Sequence, residues 1–162
     1  MITYNCQEVS SVEQQMIQQR ISKPVYNTVV CVTDQRRCDR IIRAGRALAD
    51  ISGTGLLVVN VVRPDSQQDT DSMEYLFSVS KQNNAEMALL YSDDVAKALI
   101  RFVKENKVAN LLTGIPNEGD SVTTKIWKRF THVTFFVVEQ DGSLREVVNP
   151  ARQAQELCAA GA

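Results

Sequence analysis

Short runs of β-branched residues alternate with apolar stripes of helical spacing along most of this chain, and that alternation restricts its fold more than any other feature. VYNTVVCV, Val25 to Val32, is nearly continuous in apolar residues, the pattern of a strand covered on both faces. Cys38, Ile41, Ile42, Gly45, Leu48 and Ala49 then recur at spacings of three and four and form one helix stripe, closed by the turn Gly53-Thr54-Gly55. Gly45 lies on that stripe, which predicts a close approach of this helix to the sheet. A second strand is predicted over Leu56 to Val62, ended by Arg63-Pro64 and a polar loop from Asp65 to Asp71.

The pattern continues in the same way. Met73, Leu76 and Phe77 are predicted to share the face of a second helix, and Glu86 to Tyr91 forms a third strand. Val95, Ala98, Leu99, Phe102 and Val103 mark a third helix, with Asp93 or Asp94 as its cap. Ala109 to Thr113 is a fourth strand, Val122, Ile126, Trp127 and Phe130 mark a fourth helix, and Val133 to Val138 is a fifth strand. Parallel neighbours need crossovers of a dozen or more residues, so strands and helices alternating at these lengths predict a doubly wound, three-layer α/β/α fold with a mainly parallel sheet.

Two segments flank this unit. Ser10 to Ile21 carries Ser10 with Glu13 as a capping box and predicts a leading helix. Asp141-Gly142 separates FFVVEQ from SLREVV, a hairpin signal that predicts a sixth, antiparallel strand. Asn149-Pro150 can start a short terminal helix. The expected organisation is an N-terminal extension over 1–24, one α/β domain over 25–148 and a C-terminal tail over 149–162, in keeping with a chain of 162 residues.

Composition removes several classes of function. A formal net charge of −1 offers no sustained basic face, so no nucleic-acid partner is expected. No apolar run is long enough to insert in a membrane and the first residues lack a secretory pattern, so a cytoplasmic location is expected. Cys6, Cys31, Cys38 and Cys158 form no C-x-x-C pair and His132 is the only histidine, which argues against a metal site. Cys31 reads as a small core residue, whereas Cys38, near Arg36, Arg37 and Arg40, is a candidate reactive thiol. There is no G-x-S-x-G elbow, H-E-x-x-H helix or phosphate loop of either glycine-rich type, and no catalytic residue is assigned.

Ligands of open parallel sheets sit beyond the carboxyl ends of the strands, where the strand order reverses. That rule selects Thr33 to Arg37, Val61 to Arg63 and Gly114 to Ser121. Asp34 has two readings, as an acceptor for an adenine amino group or ribose and as a cap for the first helix. Arg36 and Arg37, with Arg40 one helical step further on, are candidate phosphate contacts beside the same loop. The start of the helix after Gly114 offers N–H groups to an anion, although Glu118 and Asp120 bring negative charge there.

VVCVTDQ resembles the opening strand and acidic loop of universal stress proteins, where a V-P-x-D run ends the first strand. VVNVV is similar to the family's second strand, with Asn60 where histidine is common. DSVTTKIWKRFTHVTFFVV resembles its closing stretch. The shortened loop and DDVAKALIRFVKENKVANLLTG are closest in style to the universal-stress-type domain of potassium-responsive sensor histidine kinases. The resemblance implies a five-stranded parallel sheet of order 3-2-1-4-5, a homodimer whose geometry is open because the Asp141-Gly142 hairpin would cover the fifth-strand edge the family uses, and a non-catalytic protein of stress response or signalling. It also implies an adenine-nucleotide site, for ATP or AMP, at Thr33, Asp34, Val61, Gly114, Ser121, Val122 and Thr123. Asn117 stands in place of the second glycine of the family's G-x-x-G, and Asp120 in place of a later one, which implies a degenerate phosphate cradle. No S-x-S element of the cyclic-dinucleotide type follows the first strand. The same resemblance leaves a ligand-free module for protein contacts and a slow ATP hydrolase as the competing functions.

Overall fold

The computed structural model describes residues 25–33, 35–67, 69–116, 121–148 and 156–161. The alternation seen in the sequence becomes strand β1 (Asn27–Val32), helix α1 (Cys38–Ser52), β2 (Gly55–Val62), α2 (Thr70–Gln82), β3 (Glu86–Tyr91), α3 (Val95–Glu105), β4 (Val108–Gly114), α4 (Ser121–Arg129), β5 (Thr134–Val138) and β6 (Leu144–Val147). These strands make one sheet in the order β3-β2-β1-β4-β5-β6. The first five run parallel and β6 pairs antiparallel with β5. The leading helix expected at Ser10 to Ile21 lies outside the described residues, as does the start of the terminal helix at Asn149-Pro150; residues 156–160 are helical.

Helices cover both faces, so alternate residues of each central strand feed two separate cores. Val30, Leu56, Val58 and Leu112 meet Ile41 and Ile42 of α1 and Leu76 and Val79 of α2. Val29, Val59, Leu111 and Phe135 meet Leu99, Phe102 and Val103 of α3 and Ile126 of α4. The near-continuous apolar character of β1 follows from this, since both of its faces are buried.

Gly45 performs the predicted close approach. A Cβ there would overlap Cγ2 of Val30 and lie 3.1 Å from Cδ1 of Leu56, so only glycine lets α1 settle onto the central strands at this distance. Helix α1 stops at Gly53, in the left-handed conformation at φ 66°, whose N–H returns to the Ala49 carbonyl. Of the two aspartates before α3, Asp94 is the cap: its carboxylate accepts the N–H of Lys97 at 3.0 Å.

Two expectations need correction. Phe77 does not share the buried face of α2; it is 52% exposed, and the buried positions are Ser72, Leu76, Val79 and Ser80. The true stripe continues from Leu76 by three and four residues, and Phe77 lies one step round the helix from it. Cys38 is not a reactive surface thiol but a fully buried member of the α1/α2 core, closed off from solution despite the arginines beside it in sequence. Cys31 is buried as expected, and desolvation pushes its thiol up to about 12.

Candidate functional site

Strand β1 pairs with β2 on one side and β4 on the other, so the strand order reverses at β1, the place beyond the carboxyl ends of β1 and β4 where open parallel sheets hold their ligands. The register brings three of the expected positions together there. Val32 lies opposite Asn60, which sets Thr33 beside Val61, and Val30 lies opposite Leu112, which sets the end of β1 beside Gly114. Thr33 is exposed and Val61 is half-buried against the α3/α4 core. Gly114 turns toward α1, where an added Cβ would come 3.2 Å from Cδ1 of Ile41.

Asn60 organises this edge from below. It is 2% exposed, its amide donates to the Val32 carbonyl at 2.8 Å, and its Oδ1 accepts from Nε2 of Gln35 at 3.0 Å. A buried amide satisfied on both sides holds the last residue of β1 and the first turn of the following loop as one piece. The sequence marked Asn60 only as a substitution for histidine; its role becomes visible once β2 is placed against β1.

The loop after β1 forms one tight turn over Gln35–Arg37 before α1 begins. Arg37 occupies the N-cap position of α1 without a side-chain capping bond, and Asp34 lies outside the described residues. Arg36 points to the start of α2. Its Nη2 donates to Oδ2 of Asp69 at 2.8 Å and its Nε to Oγ of Ser72 at 3.1 Å. Hydrogen bonds from Arg36 first and Ser72 second hold the Asp69 carboxyl down to about 2. The pair is solvent-exposed, so it fixes the direction of Arg36 more than it stabilises the fold.

Arg40, in the first turn of α1, behaves differently. Its Nε is buried and has no hydrogen-bond partner among the described residues, and its charge reaches Asp141 in the β5–β6 turn. Thr113, the residue before Gly114, likewise has a buried hydroxyl without a partner among the described residues. Buried polar groups without partners are uncommon, and both of these lie near the carboxyl edge of the sheet. Helix α4 begins beyond Gly114 at Ser121, with Val122 half-buried against the α3/α4 core and Thr123 7% exposed. The segment 117–120 that leads into it lies outside the described residues. Among the described residues no group of three or more histidine, cysteine or acidic side chains is placed to hold a metal ion, and no helix is long and apolar enough to cross a membrane.

The chain matches no protein-family model and no curated protein. Solved structures do resemble it. The universal stress protein of Archaeoglobus fulgidus superposes with a TM-score of 0.53 at 16% identity, covering 74% of this chain and 93% of that one. The same organism's protein in complex with dAMP gives 0.52 at 17%, with 74% and 98% covered. A universal stress protein in complex with cAMP gives 0.51 at 17%, with 72% and 98% covered. At these identities the likeness is one of architecture: the chain has the universal stress protein fold.

Proposed function

We propose that this universal-stress-type domain is a non-catalytic regulatory or stress-response protein whose crevice binds an adenine nucleotide through a reduced set of contacts. The observation that carries the reading is the convergence of Thr33, Val61 and Gly114 at the point where the strand order reverses. Asp34 and the start of α4 at Ser121, Val122 and Thr123 complete the proposed site. The ligands named for the two nucleotide-bound structures, dAMP and cAMP, each carry one phosphate. A single-phosphate ligand suits a loop lacking the second glycine, and Arg40, whose Nε has no partner among the described residues, offers it one cation, while Arg36 would first have to leave Asp69. Self-association belongs to the same proposal, with β6 now the outer strand in place of β5.

Thermal unfolding with adenosine, AMP, cAMP, ADP and ATP tests it. Ligand at 100 times its dissociation constant stabilises by about 2.7 kcal/mol, so a binder gives a clear upward shift. We expect AMP or cAMP to shift the midpoint most, and Arg40→Gln to weaken AMP by roughly tenfold while leaving adenosine unchanged. If no nucleotide shifts the midpoint, the crevice is vestigial and the protein acts through contacts with other proteins.

A further inference from the structure

A recess of about 700 Å³ lies between α3 and α4, on the sheet face away from α1 and α2. Lys97, Arg101 and Lys104 of α3 line it from one side and Lys125, Lys128 and Arg129 of α4 from the other. On each helix these residues are spaced by three and four, so each set forms one stripe and the two stripes border the same groove. Arg101 has a carboxylate partner, Oε1 of Glu105 at 2.9 Å. Among the described residues none of the other five side chains is in an ion pair or a side-chain hydrogen bond. Ile100 and the aliphatic stems of the basic residues make the floor apolar. Like charges collected in this way repel one another, and an anionic partner relieves the repulsion.

We infer that this groove docks an acidic amphipathic segment of another protein, laid between the two helices. The cationic walls call for carboxylates, and the apolar floor calls for aliphatic side chains on the same ligand, the combination a helix with acidic and apolar faces presents. A nucleic-acid backbone satisfies the walls but not the floor, and no aromatic ring lines the recess to stack a base. A flat bilayer satisfies neither the concave shape nor the floor. The inference stands apart from the nucleotide site, which lies at the carboxyl edge of the sheet.

The test uses the full chain and a fluorescent peptide of about 18 residues, with leucine at positions i, i+3, i+4 and i+7 and glutamate elsewhere. Anisotropy should show saturable binding that weakens about tenfold between roughly 50 and 300 mM salt. The combined variant Lys125→Glu, Lys128→Glu and Arg129→Glu should bind at least about 30-fold more weakly with a thermal midpoint no lower than the parent's, because all three side chains are exposed. Lys125→Gln with Lys128→Gln should give a smaller loss and serves as the check should the reversal perturb folding. A peptide of the same composition with scattered leucines should lose about tenfold, reporting the floor. No binding, equal binding by the charge variants, or equal binding of the scattered peptide overturns the proposal. Tighter binding to a DNA duplex or to phosphatidylglycerol vesicles than to the peptide overturns it in favour of those partners.

Discussion

The two helical layers cover the same sheet with opposite arrangements of charge. On the α1/α2 side, arginines meet carboxylates within the domain: Arg43 with Asp39 at 3.1 Å, Arg46 with Asp50 at 2.7 Å and Arg36 with Asp69 at 2.8 Å. Arg46 also donates to the carbonyl of Asn83 at 3.2 Å, tying α1 to the end of α2. On the α3/α4 side, Arg101 alone of the six basic residues around the groove is in a described ion pair. One layer uses its cations to hold its own parts together, and the other holds them facing outward. A chain near neutrality can therefore carry a strongly directional surface, because net charge sums over faces that a partner meets one at a time.

The largest effect expected from breaking this contrast is at the packing beneath the closed layer. Gly45→Val should lower stability by about 2–3 kcal/mol, since the new side chain overlaps Val30 in the central strand, and urea midpoints measure the loss. A smaller effect should differ in sign between the layers. Arg46→Gln should destabilise by about 0.5–1 kcal/mol, whereas Lys128→Gln should stabilise by a few tenths at low salt by reducing repulsion. If both neutralisations destabilise alike, the groove cations are structural and the contrast fails. The smallest effect is in titration. A carboxyl held down in the fold contributes stability that is present above its ordinary value near 3.8 and lost as pH falls through about 2. NMR should place the Asp69 midpoint near 2 in the parent protein and return it toward 3.8 in Arg36→Gln.

How much of this was legible before the structure depends on whether the signal is local. Strand and helix positions depend on periodicity within a dozen residues, and the first five strands appear within two residues of their expected ends. The antiparallel turn at Asp141-Gly142 also has a local cause: Gly142 adopts φ 86°, and Asp141 accepts from the N–H of Ser143 at 2.9 Å. Phe77 failed because a stripe of three residues does not define the centre of a face. Arg36 could not be assigned from sequence, since its partner Asp69 lies 33 residues away across a strand. The groove was hidden for the same reason. Its two basic sets, at 97–104 and 125–129, are separated by β4, and only the packing of α3 beside α4 adds them together. At the carboxyl edge, topology explains why Thr33, Val61 and Gly114 end up at the ends of neighbouring strands, while the burial of the Arg40 Nε is something no spacing rule reports.

The antiparallel return of β6 has a consequence for architecture on a larger scale. Because Val147 pairs with Phe135 near the start of β5, the chain leaves the sheet at the same edge where Asn27 enters it, opposite the crevice. Entry on β1 and exit on β6 are separated across the sheet by three inter-strand spacings, a span of about 14 Å at roughly 4.8 Å each. The domain is thus wired like a plug with both leads on one side: it can be spliced into a longer polypeptide, or joined end to end by about five residues, with its opposite rim left free.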